Sequence, residues 1–162
     1  MIIIDVLALA ALIAVDQVTK FLALKYLAPV ESVTVIEGLL DLAFVRNNGA
    51  AFGLFQGARW FFIGLAVLII GAIVYYYLKN RKNENFTFVR ISLLLITSGA
   101  IGNFIDRFAT GYVVDFFNVR FIQFPVFNVA DIYIVVGTIM LIVYIVFFMK
   151  GKEPDAKDGV KA

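Results

Sequence analysis

The chain has no cysteine and no histidine among its 162 residues. Without cysteine it cannot form disulfide bonds, a thiol nucleophile or a thiolate metal site. Without histidine it lacks the commonest metal ligand and the usual general base, so a Ser-His-Asp triad is excluded. Any acid–base chemistry in this chain must therefore use carboxylates, lysine or tyrosine.

Charged residues are also scarce. They make up 16% of the chain, against roughly 25% in ordinary soluble domains, while 62% of the residues are hydrophobic. The mean hydropathy of +0.95 predicts an integral membrane protein. A net charge of +2 is too small to favour nucleic acid as a partner. We expect one domain over residues 1–150 and a disordered, cytoplasmic polar tail over 151–162.

Four apolar stretches predict an all-α membrane protein with four transmembrane helices. The first stretch is interpreted as a retained span and not a signal peptide, because its start carries Asp5 and no basic residue. The predicted spans lie at about 2–26, 60–78, 90–106 and 131–149.

Between the first two spans, alternating residues at 32–36 and 40–45 predict a small extracytoplasmic β-rich segment. A further strand is predicted around 119–124 in the second outer loop. Small residues at 98–102 predict that the third span packs tightly against another helix. We also expect them to leave a groove for an apolar substrate.

The loop between the second and third spans fixes the predicted orientation. It carries Lys79, Arg81, Lys82 and Arg90 against Glu84 alone, which indicates a cytoplasmic loop and two cytoplasmic termini. Polar side chains then gather at the outer face, where their desolvation indicates a functional site. They are Asp16, Lys20, Asn47, Asn103, Arg107, Asp115, Asn128 and Asp131.

Asp115 and Asp131 are the candidate catalytic pair. Asp115 is predicted in a loop between valines and phenylalanines, and Asp131 opens the fourth span. If the two carboxyls meet, repulsion between like charges makes them share one proton near neutral pH. One carboxylate would take a proton from a water as it attacks a carbonyl, and the other, protonated, would hydrogen-bond the carbonyl oxygen and help to protonate the leaving amine. The sequence does not assign the two roles.

Each of these residues also has a purely structural interpretation. Asp115 could cap a turn, and Asp131 could cap the helix that follows it. Asp106 is interpreted as an ion-pair partner of the adjacent Arg107. Asp16 and Lys20, four residues apart, could form an ion pair near the end of the first helix.

Three other functional classes compete with a carboxylate enzyme. A small proton-coupled transporter or channel subunit would also bury Asp, Asn and Arg in the membrane, although no repeat supports it. A serine–lysine peptidase would need Ser98 to meet Lys20. A non-catalytic scaffold would leave the polar outer face unexplained.

Five sequence blocks, taken together, resemble bacterial lipoprotein signal peptidase, also called signal peptidase II. They occur in the order typical of that family and span most of the chain. They are Asp16-Gln17-Val18-Thr19-Lys20, Asn47-Asn48-Gly49-Ala50-Ala51-Phe52, Gly102-Asn103-Phe104-Ile105-Asp106-Arg107, Val113-Val114-Asp115-Phe116 and Phe127-Asn128-Val129-Ala130-Asp131.

The resemblance implies a metal-free aspartic endopeptidase of the bacterial inner membrane, with no cofactor. Its substrates would be diacylglyceryl-modified prolipoproteins, cut just before the lipid-modified cysteine at the extracytoplasmic face. It would act within the lipid bilayer and would be inhibited by globomycin-type cyclic peptides. Nothing in the sequence requires nucleic acid as a partner or more than a monomer. By motif position, Asp115 and Asp131 match the catalytic pair. The supporting positions are Asp16, Lys20, Asn47, Gly49, Asn103, Arg107, Asn128 and Ala130.

Overall fold

The computed structural model describes residues 2–49, 54–83 and 86–149 of the chain. The predicted tail, 151–162, and part of the polar outer loop, 50–53, lie outside these residues. The described chain forms helix α1 (Ile2–Tyr26), strands β1 (Ser32–Ile36) and β2 (Leu40–Asn47), and helices α2 (Arg59–Asn80) and α3 (Thr87–Ala109). Strand β3 (Val113–Val119) and helix α4 (Val129–Tyr144) follow, and a π-helical turn (Ile145–Met149) extends α4.

Four helices in the described part of the chain are long and apolar enough to cross a membrane. Helix α1 has 25 residues, which at about 1.5 Å per residue exceeds the roughly 30 Å of a bilayer core. Most large apolar side chains on the helices are exposed, as expected of surfaces that face lipid. The predicted fold class of four apolar helices with a small β-segment is therefore confirmed.

The predicted strand at 119–124 is wrong, because the third strand runs from Val113 to Val119 and the next residues turn away. The antiparallel sheet has the order β1-β2-β3, so it joins the segment after α1 to the segment after α3. Val45 on β2 lies opposite Asp115 on β3, which places Asp115 in a strand and not in a loop.

An apolar cluster holds this sheet against the membrane helices. Ala23 and Leu27, at the end of α1, pack with Val114 and Phe116 of β3, and all four are buried. Side chains of β1, by contrast, are exposed along the whole strand. The sheet therefore has a largely buried inner strand, β3, beside the helices and an exposed outer strand, β1.

Helices α3 and α4 approach each other closely because glycine occupies their contact points. A Cβ atom at Gly99 would collide with the Ala130 carbonyl, and one at Gly137 would lie 2.7 Å from the Ser92 carbonyl. This confirms the predicted tight packing. The expected groove at 98–102 is wrong, since α4 fills that space.

Gly137→Ala should destabilise the protein by about 1–3 kcal/mol, because the added methyl would meet backbone that has no room to move. Gly71→Ala is the matched control, since nothing lies within 4 Å of its added Cβ atom. That control should keep or raise stability, since alanine favours a helix by about 0.5–1 kcal/mol over glycine. Thermal unfolding in detergent micelles measures both, and equal midpoints would contradict the close packing.

Candidate active site

Asp115 is buried on β3 and held by two asparagine side chains. Asp115 is only 2% exposed. The Asn47 amide donates to one carboxyl oxygen at 2.8 Å, and the Asn128 amide donates to the other at 2.6 Å. The carboxyl group is therefore fixed in orientation by two neutral donors from different segments.

Asp131 lies in the first turn of α4 and takes part in its N-terminal cap. Asn128 is the capping residue, and its side chain accepts a hydrogen bond from the Asp131 backbone at 3.1 Å. The Asp131 carboxylate accepts in return from the Asn128 backbone at 3.1 Å, which completes a capping box. The expectation that Asp131 itself caps the helix is thus corrected, since Asn128 does so.

The other oxygen of Asp131 accepts a hydrogen bond from the Asn103 side chain at 2.8 Å. Asn103 comes from α3, so the carboxylate is held between two helices. Asn128 also donates to the Asn103 side-chain oxygen at 3.3 Å. Asn103 and Asn128 therefore join the two aspartates into one polar network.

Both aspartates line a cavity of about 480 Å³. Asn47 and Arg107 contribute the other polar groups of its lining, and the remaining walls are apolar. The apolar lining residues are Phe62, Phe124, Pro125, Val126, Phe127, Ile132, Val135 and Val136. Such a cavity suits a mostly apolar ligand with a polar group that meets the carboxyls.

Burial raises the pKa of the Asp115 carboxyl from its ordinary value of 3.8 to about 6. The hydrogen bond from Asn47 opposes this rise, the negative charge of Asp131 adds to it, and the bond from Asn128 again opposes it. The Asp115 carboxyl therefore keeps its proton to a higher pH than an ordinary aspartate does. The charge of Asp131 acts on Asp115, as the shared-proton hypothesis requires.

Behind the two aspartates, Lys20 forms a buried ion cluster. Its ammonium lies 2.9 Å from Asp16 and 3.1 Å from Asp106, and the lysine is 3% exposed. The predicted pairing of Asp16 with Lys20 is confirmed. The interpretation of Asp106 as a partner of Arg107 is wrong, because its charged partner is Lys20. Lys20 also donates to the Asn103 side chain at 2.9 Å, so the cluster contacts the polar network of the two aspartates.

The ion cluster ties together the elements that carry the aspartates. Asp16 accepts a hydrogen bond from the Ala130 backbone at 2.9 Å, one residue before Asp131. Asp106 accepts from the Val114 backbone at 3.2 Å, one residue before Asp115. Gln17 bridges the carboxylates of Asp16 and Asp106 at 3.2 Å and 3.1 Å.

Arg107 also lines the cavity. Its guanidinium stands 4.7 Å from the centre of the Phe62 ring and donates to the Gly49 carbonyl at 3.0 Å. The Gly49 backbone donates in turn to the Asn47 side chain at 2.9 Å, which orients the amide that holds Asp115. A Cβ atom at Gly49 would collide with the Leu54 carbonyl, so this turn requires glycine.

The structure therefore brings all the predicted site residues into one assembly. Asp115, Asp131, Asn47 and Arg107 face the cavity, and the other six lie behind it or beside it. Ala130 takes part through its backbone, and its side chain is fully buried.

Sequence reasoning missed the bridging role of Gln17 and the cavity walls. Gln17 follows Asp16 directly in the first of the five blocks, so its place in that block could have indicated a role beside Asp16. Phe62 and the 124–126 segment carry no pattern that separates them from lipid-facing residues.

The chemistry available here is proton transfer by two carboxyls. Within residues 2–49, 54–83 and 86–149, no three side chains of metal-ligating type (His, Cys, Asp or Glu) lie together in a suitable group. The side-chain donors to both aspartates are neutral amides, and neither carboxyl forms a direct ion pair among the described residues.

Comparison with known proteins gives consistent matches along the chain. Residues 8–147 match the family described as signal peptidase (SPase) II. Lipoprotein signal peptidases of Streptococcus pyogenes serotypes M6 and M5 are each 44% identical over 138 residues, which cover 85% of this chain and 90% of each relative.

Two solved structures of bacterial membrane enzymes, determined by the in meso method at 2.3 Å and 1.9 Å resolution, share the fold. The first has a TM-score of 0.82 and 31% identity, covering 98% of this chain and 96% of its own. The second has a TM-score of 0.79 and 33% identity, covering 91% and 96%. Since the family match covers most of the sequence and relatives are 44% identical, this chain belongs to the signal peptidase II family.

Proposed function

We propose that this bacterial multi-pass membrane protein is an aspartic endopeptidase that removes the signal peptide from diacylglyceryl-modified prolipoproteins. It cuts just before the lipid-modified cysteine of the substrate. One observation carries the proposal: Asp115 and Asp131 line one apolar cavity and are linked through a single asparagine, Asn128. Family membership supports the substrate class, and it gives no support to the transporter alternative.

Asp131 acts as the base in this proposal. It lies in the first turn of α4, where the helix dipole stabilises a negative charge, and it accepts hydrogen bonds from Asn103 and Asn128. Asp115 carries the shared proton, because burial raises its pKa to about 6. The surroundings of the two carboxyls thus differ, and we assign the base to Asp131 and the proton donor to Asp115.

The reaction then balances without a metal. Asp131 takes a proton from water while the water oxygen attacks the scissile carbonyl carbon, and Asp115 donates its proton to the carbonyl oxygen. The tetrahedral intermediate breaks when Asp131 protonates the leaving nitrogen and Asp115 recovers a proton from the hydroxyl group. Each positioned proton transfer accelerates the reaction by about 10²–10⁴-fold.

The cavity suits a substrate that is an apolar helix with lipid on one residue. Ile132, Val135 and Val136 line it from α4, and these side chains are also partly exposed on the outer surface of that helix. A signal peptide and its diacylglyceryl group can therefore approach from the bilayer. We further propose that the enzyme acts as a monomer and that globomycin-type cyclic peptides occupy this cavity.

Asp115→Asn and Asp131→Asn should each reduce cleavage by at least about 10²-fold, since each removes one proton-transfer group. The assay uses purified protein in lipid or detergent and a diacylglyceryl-modified prolipoprotein, with a chelator present. Asp5→Asn is the matched control, because Asp5 is a buried aspartate paired with Tyr77 and Arg90 and lies outside the cavity. Cleavage that survives in either of the first two variants would refute the proposed pair.

The specificity constant kcat/KM for cleavage should fall as pH rises through about 6, because Asp115 then loses the proton that it donates. Asp131→Asn removes a neighbouring negative charge, so it should lower the pKa of Asp115. Asn47→Leu removes a donor to the ionised carboxylate, so it should raise that pKa. Carbon-13 NMR of labelled aspartate in micelles measures both shifts, and shifts of the same sign would contradict the assigned surroundings.

The proposed orientation, with cytoplasmic termini and an extracytoplasmic site, is testable because the chain has no cysteine of its own. Lys82→Cys, beyond the end of α2, should react with an impermeant maleimide only after the cells are opened. Gln123→Cys, in the segment after β3, should react in intact spheroplasts. If Lys82→Cys instead reacts in intact cells and Gln123→Cys reacts only after the cells are opened, the proposed orientation is wrong.

A further inference from the structure

The segment between β3 and α4 forms one wall of the substrate cavity. Phe124, Pro125, Val126 and Phe127 line it, and the rings of Phe124 and Phe127 pack edge to face at 5.7 Å. The position of this apolar wall therefore sets the shape of the cavity beside the two carboxyls.

The end of this segment nearest the catalytic pair is fixed by backbone hydrogen bonds. Phe127 donates to the Phe117 carbonyl at 3.1 Å and accepts from the Phe117 amide at 2.8 Å. Asn128 follows at once and caps α4. Asp131 and Asn128 therefore keep their places even if the beginning of the segment moves.

The beginning of the segment is fixed by Arg120. Its backbone donates to the Leu39 carbonyl at 3.0 Å, and its guanidinium lies 2.6 Å from the Asp41 carboxylate. Asp41 lies on β2 and is 3% exposed, so its charge is largely removed from water. Such a carboxylate requires a charged hydrogen-bond donor, and Arg120 supplies it.

The catalytic network does not involve this ion pair. Neither Asp41 nor Arg120 lines the cavity or bonds to Asp115 or Asp131 within the described residues. Arg120 approaches Asp41 from the solvent side, since its side chain is 56% exposed while that of Asp41 is 5% exposed. The Asp41–Arg120 pair acts on the segment that follows it. Phe121 and Ile122, directly after Arg120, are exposed, so Arg120 is the residue at the beginning of the segment that holds it to β2.

We propose that the Asp41–Arg120 pair is a positioning device for the apolar wall at 124–127 and thereby sets the affinity for the apolar part of the substrate. The proposal rests on the proposed peptidase function. It assigns Asp41 and Arg120 to substrate affinity and leaves the proton transfers to the aspartate pair.

Steady-state cleavage of a diacylglyceryl-modified prolipoprotein tests this assignment. Arg120→Gln should raise KM by about fivefold and leave kcat within about twofold, because the wall shifts while the carboxyls stay in place. Arg120→Lys keeps a cation that can reach Asp41 and should restore most of the wild-type KM. Asp5→Asn breaks an ion pair outside the cavity and should leave KM unchanged. A fall in kcat with constant KM, or no rescue by lysine, would overturn the positioning role.

Hydrogen–deuterium exchange provides a readout that does not depend on cleavage. In Arg120→Gln, exchange should become at least about threefold faster within residues 120–127 and stay unchanged in α3 and α4. Unchanged exchange in that segment would overturn the proposal even if KM rises. Wild-type protein that cleaves no substrate would instead refute the peptidase function, while the exchange result still decides whether the pair positions the wall.

Discussion

A single buried lysine constrains the arrangement of the half of this protein that carries the sheet and the cavity. Lys20 is 3% exposed, and its charge is balanced by Asp16 at 2.9 Å and Asp106 at 3.1 Å. Removing one member of such a buried ion pair generally costs about 3–5 kcal/mol, so helices α1 and α3 must stay in one register. Since the two carboxylates also accept from the backbones of Ala130 and Val114, the start of α4 and strand β3 share that constraint.

Among the described residues, Lys20 is linked by hydrogen bonds to the two cavity carboxyls, Asp115 and Asp131, only through neutral amides. Lys20 binds the oxygen of Asn103, and the nitrogen of Asn103 binds Asp131. Asn47 and Asn128 hold Asp115 in the same manner. Amide donors fix the orientation of a carboxyl and stabilise its anion far less than a direct ammonium contact would. Burial can therefore dominate the pKa of Asp115, and a proton remains available for transfer.

Hydropathy predicted the four helices because each span is a local property of its own sequence. The position of β3 was not predictable in this way, since its first four residues are all buried and show no alternation. Its partner β2 lies far away in the chain, so the pairing of Val45 with Asp115 is not local information. Asp106 was misassigned for a related reason, because adjacent residues on a helix point in different directions and the true partner, Lys20, is on α1. Eight of the ten predicted site residues follow from the gathering of polar side chains at one face, while Gly49 and Ala130 come only with the family resemblance. The apolar lining of the cavity was not predicted by either.

The two carboxyls that line the cavity, those of Asp115 and Asp131, come from different kinds of scaffold. Asp115 is set by the sheet, and Asp131 is set by the first turn of a helix. Their separation therefore depends on the connection between β3 and α4. Asn128 fixes that separation, because it bonds to both aspartates. Its side chain donates to Asp115 and accepts from the backbone of Asp131. Its own backbone donates to the Asp131 carboxylate. The cap that starts the helix is thus also the link between the carboxyls, so the helix cannot begin elsewhere without separating them.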